Sequence, residues 1–168
     1  MSIEAADPSK VLREGQELFF AEPPNHRGAA ERFERVVTLS PTWAEGHHWL
    51  GSAFEALGDE DRAARAWQTA HTLDPNDSRC LISLGVLRTR QRRFNDAIQL
   101  LEQGIALKPH YGFADAKLFL AEALEGANRM EQAKQQWREV LELEPMYPSH
   151  DEPMKEARRK LQLHGGVG

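Results

Sequence analysis

The feature that most constrains this chain is a leucine-x-proline tripeptide that recurs four times at nearly even spacing. The four copies are Leu39-Ser40-Pro41, Leu73-Asp74-Pro75, Leu107-Lys108-Pro109 and Leu143-Glu144-Pro145. The first three prolines lie 34 residues apart, and the fourth follows after 36. Because proline suits the first turn of a helix and not its interior, each copy is expected to end one helix and open the next. Self-similarity at such a period indicates an array of stacked helical repeats.

Small and large residues also recur at matching offsets between these prolines. The clearest copies carry Leu50, Gly51, Phe54, Ala63 and Trp67; Leu84, Gly85, Ala97 and Leu101; and Leu120, Ala121, Leu124, Ala133 and Trp137, while a looser first copy carries Gly15, Ala29, Phe33 and Val36. This pattern and the 34-residue period resemble the tetratricopeptide repeat family over roughly residues 8–145. The resemblance implies an all-α fold, a right-handed α-solenoid of about four antiparallel helix pairs with a C-terminal capping helix.

The expected organisation is a single domain over residues 1–168. Its repeats are expected at approximately 8–41, 42–75, 76–109 and 112–145, its capping helix at 152–163 and a flexible tail at 164–168. The two surplus residues of the longer repeats are assigned to Pro23-Pro24 and to His110–Phe113. Gly51, Gly85 and Ala121 are expected where two helices of a pair touch, because a larger side chain would hold their axes apart. Phe33, Trp67, Leu101 and Trp137 are expected to fill the space between repeats.

Composition excludes several functional classes. The net charge is -5, without the basic excess of a general nucleic-acid binder. No run of about 18 apolar residues is present to span a membrane, and the N-terminal segment lacks the pattern of a secretory signal. Cys80 is the single cysteine, which fits a reducing compartment. We therefore expect a cytoplasmic protein.

The sequence offers no recognisable reaction centre or metal motif. His47 and His48 are adjacent, so on a helix they point about 100° apart and cannot jointly bind one metal by spacing alone. Glu122 and Glu125 lie on neighbouring turns, as acid–base chemistry requires, but no nucleophile accompanies them. We expect no enzymatic activity, no cofactor and no metal site.

The family resemblance implies that the first helix of each pair lines a concave groove for a protein partner. Its geometry places these residues there: Leu12, Glu45, His48, Trp49, Ser52, Arg79, Ile82, Val86, Asp115, Leu118, Phe119 and Glu122. The set combines an apolar strip with acidic flanks, which suits a peptide or helical segment with apolar anchors and basic flanks. Family members that clamp a peptide carboxylate carry Lys, Asn and Arg at three of these positions. Arg79 is the one clamp-like cation here, so a carboxylate-clamp role is rejected.

Alternatives to a groove that binds a partner stay open at this stage. The apolar Leu18-Phe19-Phe20 in the first repeat suggests a self-assembling structural protein, so a homo-oligomer is the main alternative. A secretion-type chaperone shares the repeat architecture and is a narrower variant. The basic run Arg88, Arg90, Arg92 and Arg93 is interpreted as a solvated helix end that complements the helix dipole. The same interpretation applies to Lys155, Arg158, Arg159 and Lys160, which are expected to face water on the capping helix.

Overall fold

All regular structure in the described part of the chain is α-helical. The computed structural model describes residues 7–107, 113–143 and 151–165. The helices are α1 Pro8–Phe19, α2 His26–Leu39, α3 Ala44–Ala56, α4 Glu60–Leu73, α5 Ser78–Arg90, α6 Phe94–Ala106, α7 Phe113–Gly126, α8 Met130–Glu142 and α9 Asp151–Leu163. The expected all-α fold is confirmed. Within the described ranges, no helix has both the length and the apolar character needed to cross a bilayer.

The helices group into two compact units, residues 1–76 and 77–168. In the first unit α1 packs on α2 and α3 on α4; in the second, α5 packs on α6, α7 on α8, and α9 on both α7 and α8. Short connections make each pair an antiparallel hairpin. The first helix of each pair, α1, α3, α5 and α7, is called helix A below, and its partner helix B. The single-domain interpretation stays a prediction.

Helix starts follow from side chains that accept backbone N–H groups. Asp7, Asn25 and Asp77 each accept from a residue two or three positions further along the chain, and Asp59 does the same for α4. Such caps satisfy donors that have no partner within the helix, at about 1 kcal/mol each. The three described turns from α3, α5 and α7 into their partner helices contain one residue with positive φ, at Gly58, Arg92 and Asn128 respectively. The shared backbone conformation keeps these hairpins alike despite their different side chains.

Close helix–helix contact depends on the small residues of helix A. A Cβ atom added to Gly51 would lie 2.5 Å from two atoms of the Trp67 indole, and one added to Gly85 would lie 2.5 Å from Cγ of Leu101. Phe33, Trp67 and Leu101 are fully buried, and Trp137 is nearly so. The prediction that Gly51 and Gly85 lie where the helices of a pair touch is therefore confirmed. Trp67 and Leu101, which were expected to fill the space between repeats, make these contacts within their own helix pair.

Some boundaries differ from the sequence expectation. Helix α9 begins at Asp151, with Pro153 in its first turn, where proline is tolerated. The His164 ring, at the start of the expected flexible tail, stacks on Trp137 with ring centroids 5.6 Å apart; the flexibility of the tail stays a prediction. Pro109, His110–Gly112, Pro145 and Gly166–Gly168 lie outside the described residues.

Candidate functional site

In the first unit, the expected partner-contacting residues divide by burial. Leu12 and His48 are each only 8% exposed. Leu12 belongs with Val11 and Gly15 to the buried side of α1, and α3 buries residues around most of its circumference, including His48. Both therefore offer little surface to a partner, contrary to the expectation from repeat position. Glu45, Trp49 and Ser52 are half-buried and keep some exposed surface.

Trp49 lies at the centre of a cluster of aromatic rings. Its ring stacks on Phe33 at 5.9 Å and meets Phe19 and Phe20 edge-on at 5.8 and 5.7 Å. Its indole N–H donates to Glu45 Oε1 at 2.7 Å. Both the ring and its donor are thus used inside the unit. Phe20, which follows the last residue of α1, is the most exposed member of the cluster at 67%.

In the second unit, the α5 residues differ in how far they are free to meet a partner. Arg79 is exposed but ion-paired, with its Nη2 atom 2.7 Å from Asp77 Oδ2. Ile82 is half-buried where α5 meets α6. It packs closely on Gly104 of α6: a Cβ atom added to this glycine would lie 3.0 Å from Cγ1 of Ile82. Val86 is half-buried. Since Asp77 already neutralises Arg79, this part of α5 contributes mainly apolar surface.

The main candidate site is an enclosed cleft between α7 and α9, with α8 at its base. It has a volume of about 320 Å³, and Leu118, Phe119 and Glu122 of α7, Trp137 of α8, and Glu156, Arg159 and Lys160 of α9 line it. We call it the α7–α9 cleft. Leu118 and Phe119 are half-buried, packed against the core of the second unit, whereas Trp137 is 2% exposed. The cleft therefore combines an apolar floor with charged walls.

The charges of the α9 wall are compensated by neighbouring side chains. Lys160 Nζ lies 2.7 Å from Glu125 Oε2, and His164 Nε2 lies 3.2 Å from Glu125 Oε1. Arg159 pairs with Glu156, and its hydrogen bond lowers the pKa of the Glu156 carboxyl, which keeps that group ionised. Lys160 Nζ also lies 5.7 Å from the centre of the Trp137 ring. These contacts hold α9 in place as a wall.

Sequence reasoning missed the α9 side of this cleft. Lys160 was expected to face water, but its side chain is only 24% exposed and pairs with Glu125 across the cleft. Arg159 is exposed, as expected, and borders the same cleft. Glu156 was not considered at all. One signal was available: Lys160 follows Glu125 by 35 residues, close to one repeat period, so opposite charges at equivalent positions of successive helices could have suggested the pair.

Two other surfaces have weaker claims. An open cleft of about 830 Å³ in the first unit lies between α2 and the start of α4, with Phe54 and Leu57 among acidic side chains. Several of the acids, such as Glu60, belong to the first turn of α4, where they complement the helix dipole. In the basic run, Arg93 Nε donates to Asp96 at 2.8 Å and Arg88 donates to Gln91 at 2.7 Å. These contacts agree with a locally paired helix end.

Together, the repeated helix hairpins and their small-to-large packing define a helical-repeat protein of the solenoid class. Family comparison makes this specific, since residues 44–77 and 88–151 match models of the tetratricopeptide repeat. The two matches cover more than half of the chain, which belongs to the tetratricopeptide repeat family. The solved structure of MamA protein is similar, with a TM-score of 0.72 and 26% identity over 81% of this chain and 72% of that one.

Two curated relatives match parts of the chain. Peroxisome biogenesis protein 5 of Arabidopsis thaliana is 34% identical over 106 residues, which is 61% of this chain and 12% of that protein. Hsp70-Hsp90 organizing protein of Triticum aestivum is 33% identical over 76 residues, 45% of this chain and 13% of that protein. The chain thus spans about one eighth of the length of these relatives.

Proposed function

We propose that this chain is a non-catalytic protein-interaction module that holds a peptide or helical segment of another protein against its helix A side chains. The observation that carries the proposal is the α7–α9 cleft, where Leu118 and Phe119 form an apolar floor at positions expected to contact a partner. Exposed apolar surface with a polar rim is typical of interaction sites. The name of the wheat relative, which refers to organising Hsp70 and Hsp90, supports an adaptor role for this family.

The proposed contact surface is narrower than the sequence set. It keeps the side chains that retain partly or fully exposed surface: Glu45, Trp49 and Ser52 in the first unit, and Ile82, Val86, Leu118, Phe119 and Glu122 in the second. Leu12 and His48 are left out because they are buried. Arg79 and Asp115 also keep exposed surface, and the charge of Arg79 is paired with Asp77.

A capture experiment with a matched control tests this proposal. The groove variant Ile82→Ala, Leu118→Ala, Phe119→Ala should lose a partner that the wild-type chain captures from its source cells. The control variant Leu39→Ala, Leu73→Ala, Leu107→Ala removes three exposed leucines at the ends of helices B. Circular dichroism should show equal helicity for the wild type and both variants. Crosslinking should place the captured segment on the A helices. Equal capture by both variants would reject the proposed surface.

The proposal includes no catalytic step and a cytoplasmic location. Glu125, the acid next to Glu122 on α7, already accepts from Lys160 and faces His164, so it is held in an ion-pair network rather than available as a general base. The lone Cys80 is buried, as befits an idle thiol in a reducing compartment. Fractionation of source cells tests the location, and a signal confined to the membrane or secreted fraction would contradict it.

Self-association is a second candidate function, favoured by one observation. Phe20 is largely exposed and adjoins Phe19 and Trp49, so an aromatic patch lies at the end of α1. Light scattering over a dilution series should show concentration-dependent growth in mass that Phe20→Ser abolishes. A monomer at the highest concentration would eliminate this candidate.

A further inference from the structure

The α7–α9 cleft has one charge that the described residues leave uncompensated. Its two cations are neutralised, Arg159 by Glu156 and Lys160 by Glu125. Glu122, on the opposite wall, is exposed and has no ion pair or hydrogen-bond partner among the side chains that the structure describes. The nearby Lys117 does not supply one, because its ammonium group lies against Glu139 on α8. The cleft therefore presents a net negative wall above an apolar floor.

The size of the cleft limits what it can hold. Binding pockets for whole small ligands usually measure about 300–1,000 Å³, and this one lies at the lower end at about 320 Å³. A cleft of this size suits one apolar side chain of a bound segment rather than the whole segment. Leu118 and Phe119 provide the apolar contacts for such an anchor, and the nearly buried Trp137 ring forms the base of the cleft.

We propose that the α7–α9 cleft binds one apolar anchor residue of a cationic segment from another protein, and that Glu122 selects a lysine or arginine beside that anchor. This inference rests on the proposed function and names the partner chemistry of the same surface. Charge complementarity supports it, since a cation next to the anchor would meet the free carboxylate of Glu122. A carboxylate in the same place would be repelled by Glu122, and the two α9 cations that line the cleft are already paired.

Among the repeats, only the fourth has a charged residue at the position of Glu122, so the proposed selectivity for a cation is specific to that repeat. By the repeat spacing, the residues that correspond to Glu122 are Gln16 in α1, Ser52 in α3 and Val86 in α5, none of which is charged. Helix α9 supplies the second wall by packing on α7 and α8. We therefore assign the preference for a cation to the α7–α9 cleft and not to the repeats in general.

Chemical-shift titration of the full chain tests the inference with three small probes. Acetyl-Leu-Lys-amide, acetyl-Leu-Glu-amide and acetyl-Gly-Lys-amide separate the anchor from the charge. The leucine probes should shift the resonances of Leu118, Phe119 and the Trp137 indole. The lysine form should bind roughly 2- to 5-fold tighter than the glutamate form, the range expected of one partly exposed ion pair. This preference should fall at high salt, because salt screens exposed charges.

Substitutions at one surface position complete the test. Glu122→Gln should remove the preference for lysine, and Glu122→Lys should reverse it. Glu102→Gln is the matched control, since Glu102 is an exposed acid on α6 that does not line the cleft; it should keep the wild-type preference. None of these surface changes removes a core contact, so each variant should fold.

Several outcomes would overturn the inference. Equal affinity for the lysine and glutamate probes would contradict the role of Glu122 in selecting a cation. The interaction-module proposal would still stand, because the triple-alanine capture tests it separately. Equal shifts from the glycine and leucine probes would contradict the claim that the cleft binds an apolar anchor residue. Cleft shifts that depend on protein concentration without any probe would place a second copy there instead of a foreign segment.

Discussion

The ion pair between Lys117 and Glu139 allows a sharp test of how the second unit is held together. Lys117 Nζ lies 2.5 Å from Glu139 Oε2, joining α7 to α8, and 5.2 Å from the centre of the Phe113 ring. The two side chains differ in exposure, 11% for Lys117 and 32% for Glu139. Because the lysine is the more buried partner, losing the glutamate should cost more than losing the lysine.

Methionine substitutions remove each charge while keeping an unbranched side chain. Glu139→Met leaves a nearly buried ammonium group with Gln136 Oε1 at 3.5 Å as its remaining acceptor. Breaking a fully buried pair costs about 3–5 kcal/mol and an exposed pair about 0.2–1, so about 1–3 kcal/mol is expected for this half-buried pair. Lys117→Met should cost less, about 1 kcal/mol or below, because Glu139 keeps solvent and a hydrogen bond from Gln135. The double variant should lie close to Lys117→Met.

Urea unfolding of the four proteins, followed by circular dichroism, measures these differences as a double-mutant cycle. The expected result is a coupling free energy of about 1 kcal/mol or more. If Lys117→Met costs more than Glu139→Met, or if the two single effects simply add, the reasoning from burial is wrong.

The same pair predicts a pH dependence. Burial raises the pKa of the Glu139 carboxyl, but hydrogen bonds from Lys117 and Gln135 outweigh it, so the pKa lies below its ordinary value of 4.5. The unfolded chain therefore binds the proton more tightly than the folded one. The contribution is complete above about pH 4.5 and is lost as the pH falls through the lowered value. The stability gap between wild type and Glu139→Met should accordingly shrink in acid, and a constant gap would contradict this account.

Two further predictions concern packing and capping. Gly51→Val should lower the free energy of unfolding by about 1–3 kcal/mol, because the valine side chain would overlap the buried Trp67 ring. Ala56→Val, at an exposed position of the same helix, is the control. Equal losses of stability in the two variants would refute the close-contact account. Asn25→Ala should cost about 1 kcal/mol by removing the acceptor for the Gly28 N–H group, while Asn25→Asp should keep most of the stability; urea unfolding measures both, and equal losses would show that the cap is not the cause.

Much of the architecture could be predicted because it follows from local pattern. The spaced prolines and the alternation of Gly51 with Trp67, or Gly85 with Leu101, depend on residues within one helix hairpin. The same residue pattern recurs in each repeat, so a copy that matches it poorly can still be assigned from the others. The family, the all-α class and the close-contact positions of Gly51 and Gly85 were therefore accessible from sequence.

The site was less accessible, because exposure depends on what packs around each helix. Repeat position assigned Leu12 and His48 to the contact surface, yet both are buried among neighbouring side chains. Trp49 was expected to meet a partner, but its ring and indole N–H are taken up by Phe33, Phe19 and Glu45. A repeat position specifies the direction of a side chain, whereas its free surface depends on the rotamers and sizes of residues far away in sequence.

The amino-acid sequence by itself determined that the chain forms stacked helix hairpins, since proline spacing and small-to-large alternation act through local backbone conformation and close helix contact. The tertiary structure alone decided that α9 forms a wall of the α7–α9 cleft. It also decided that Lys160 and Arg159 are compensated there, whereas Glu122 has no ion pair among the described residues. Charge compensation depends on distances of a few ångströms between side chains from different helices, and these distances are fixed only when the helices pack.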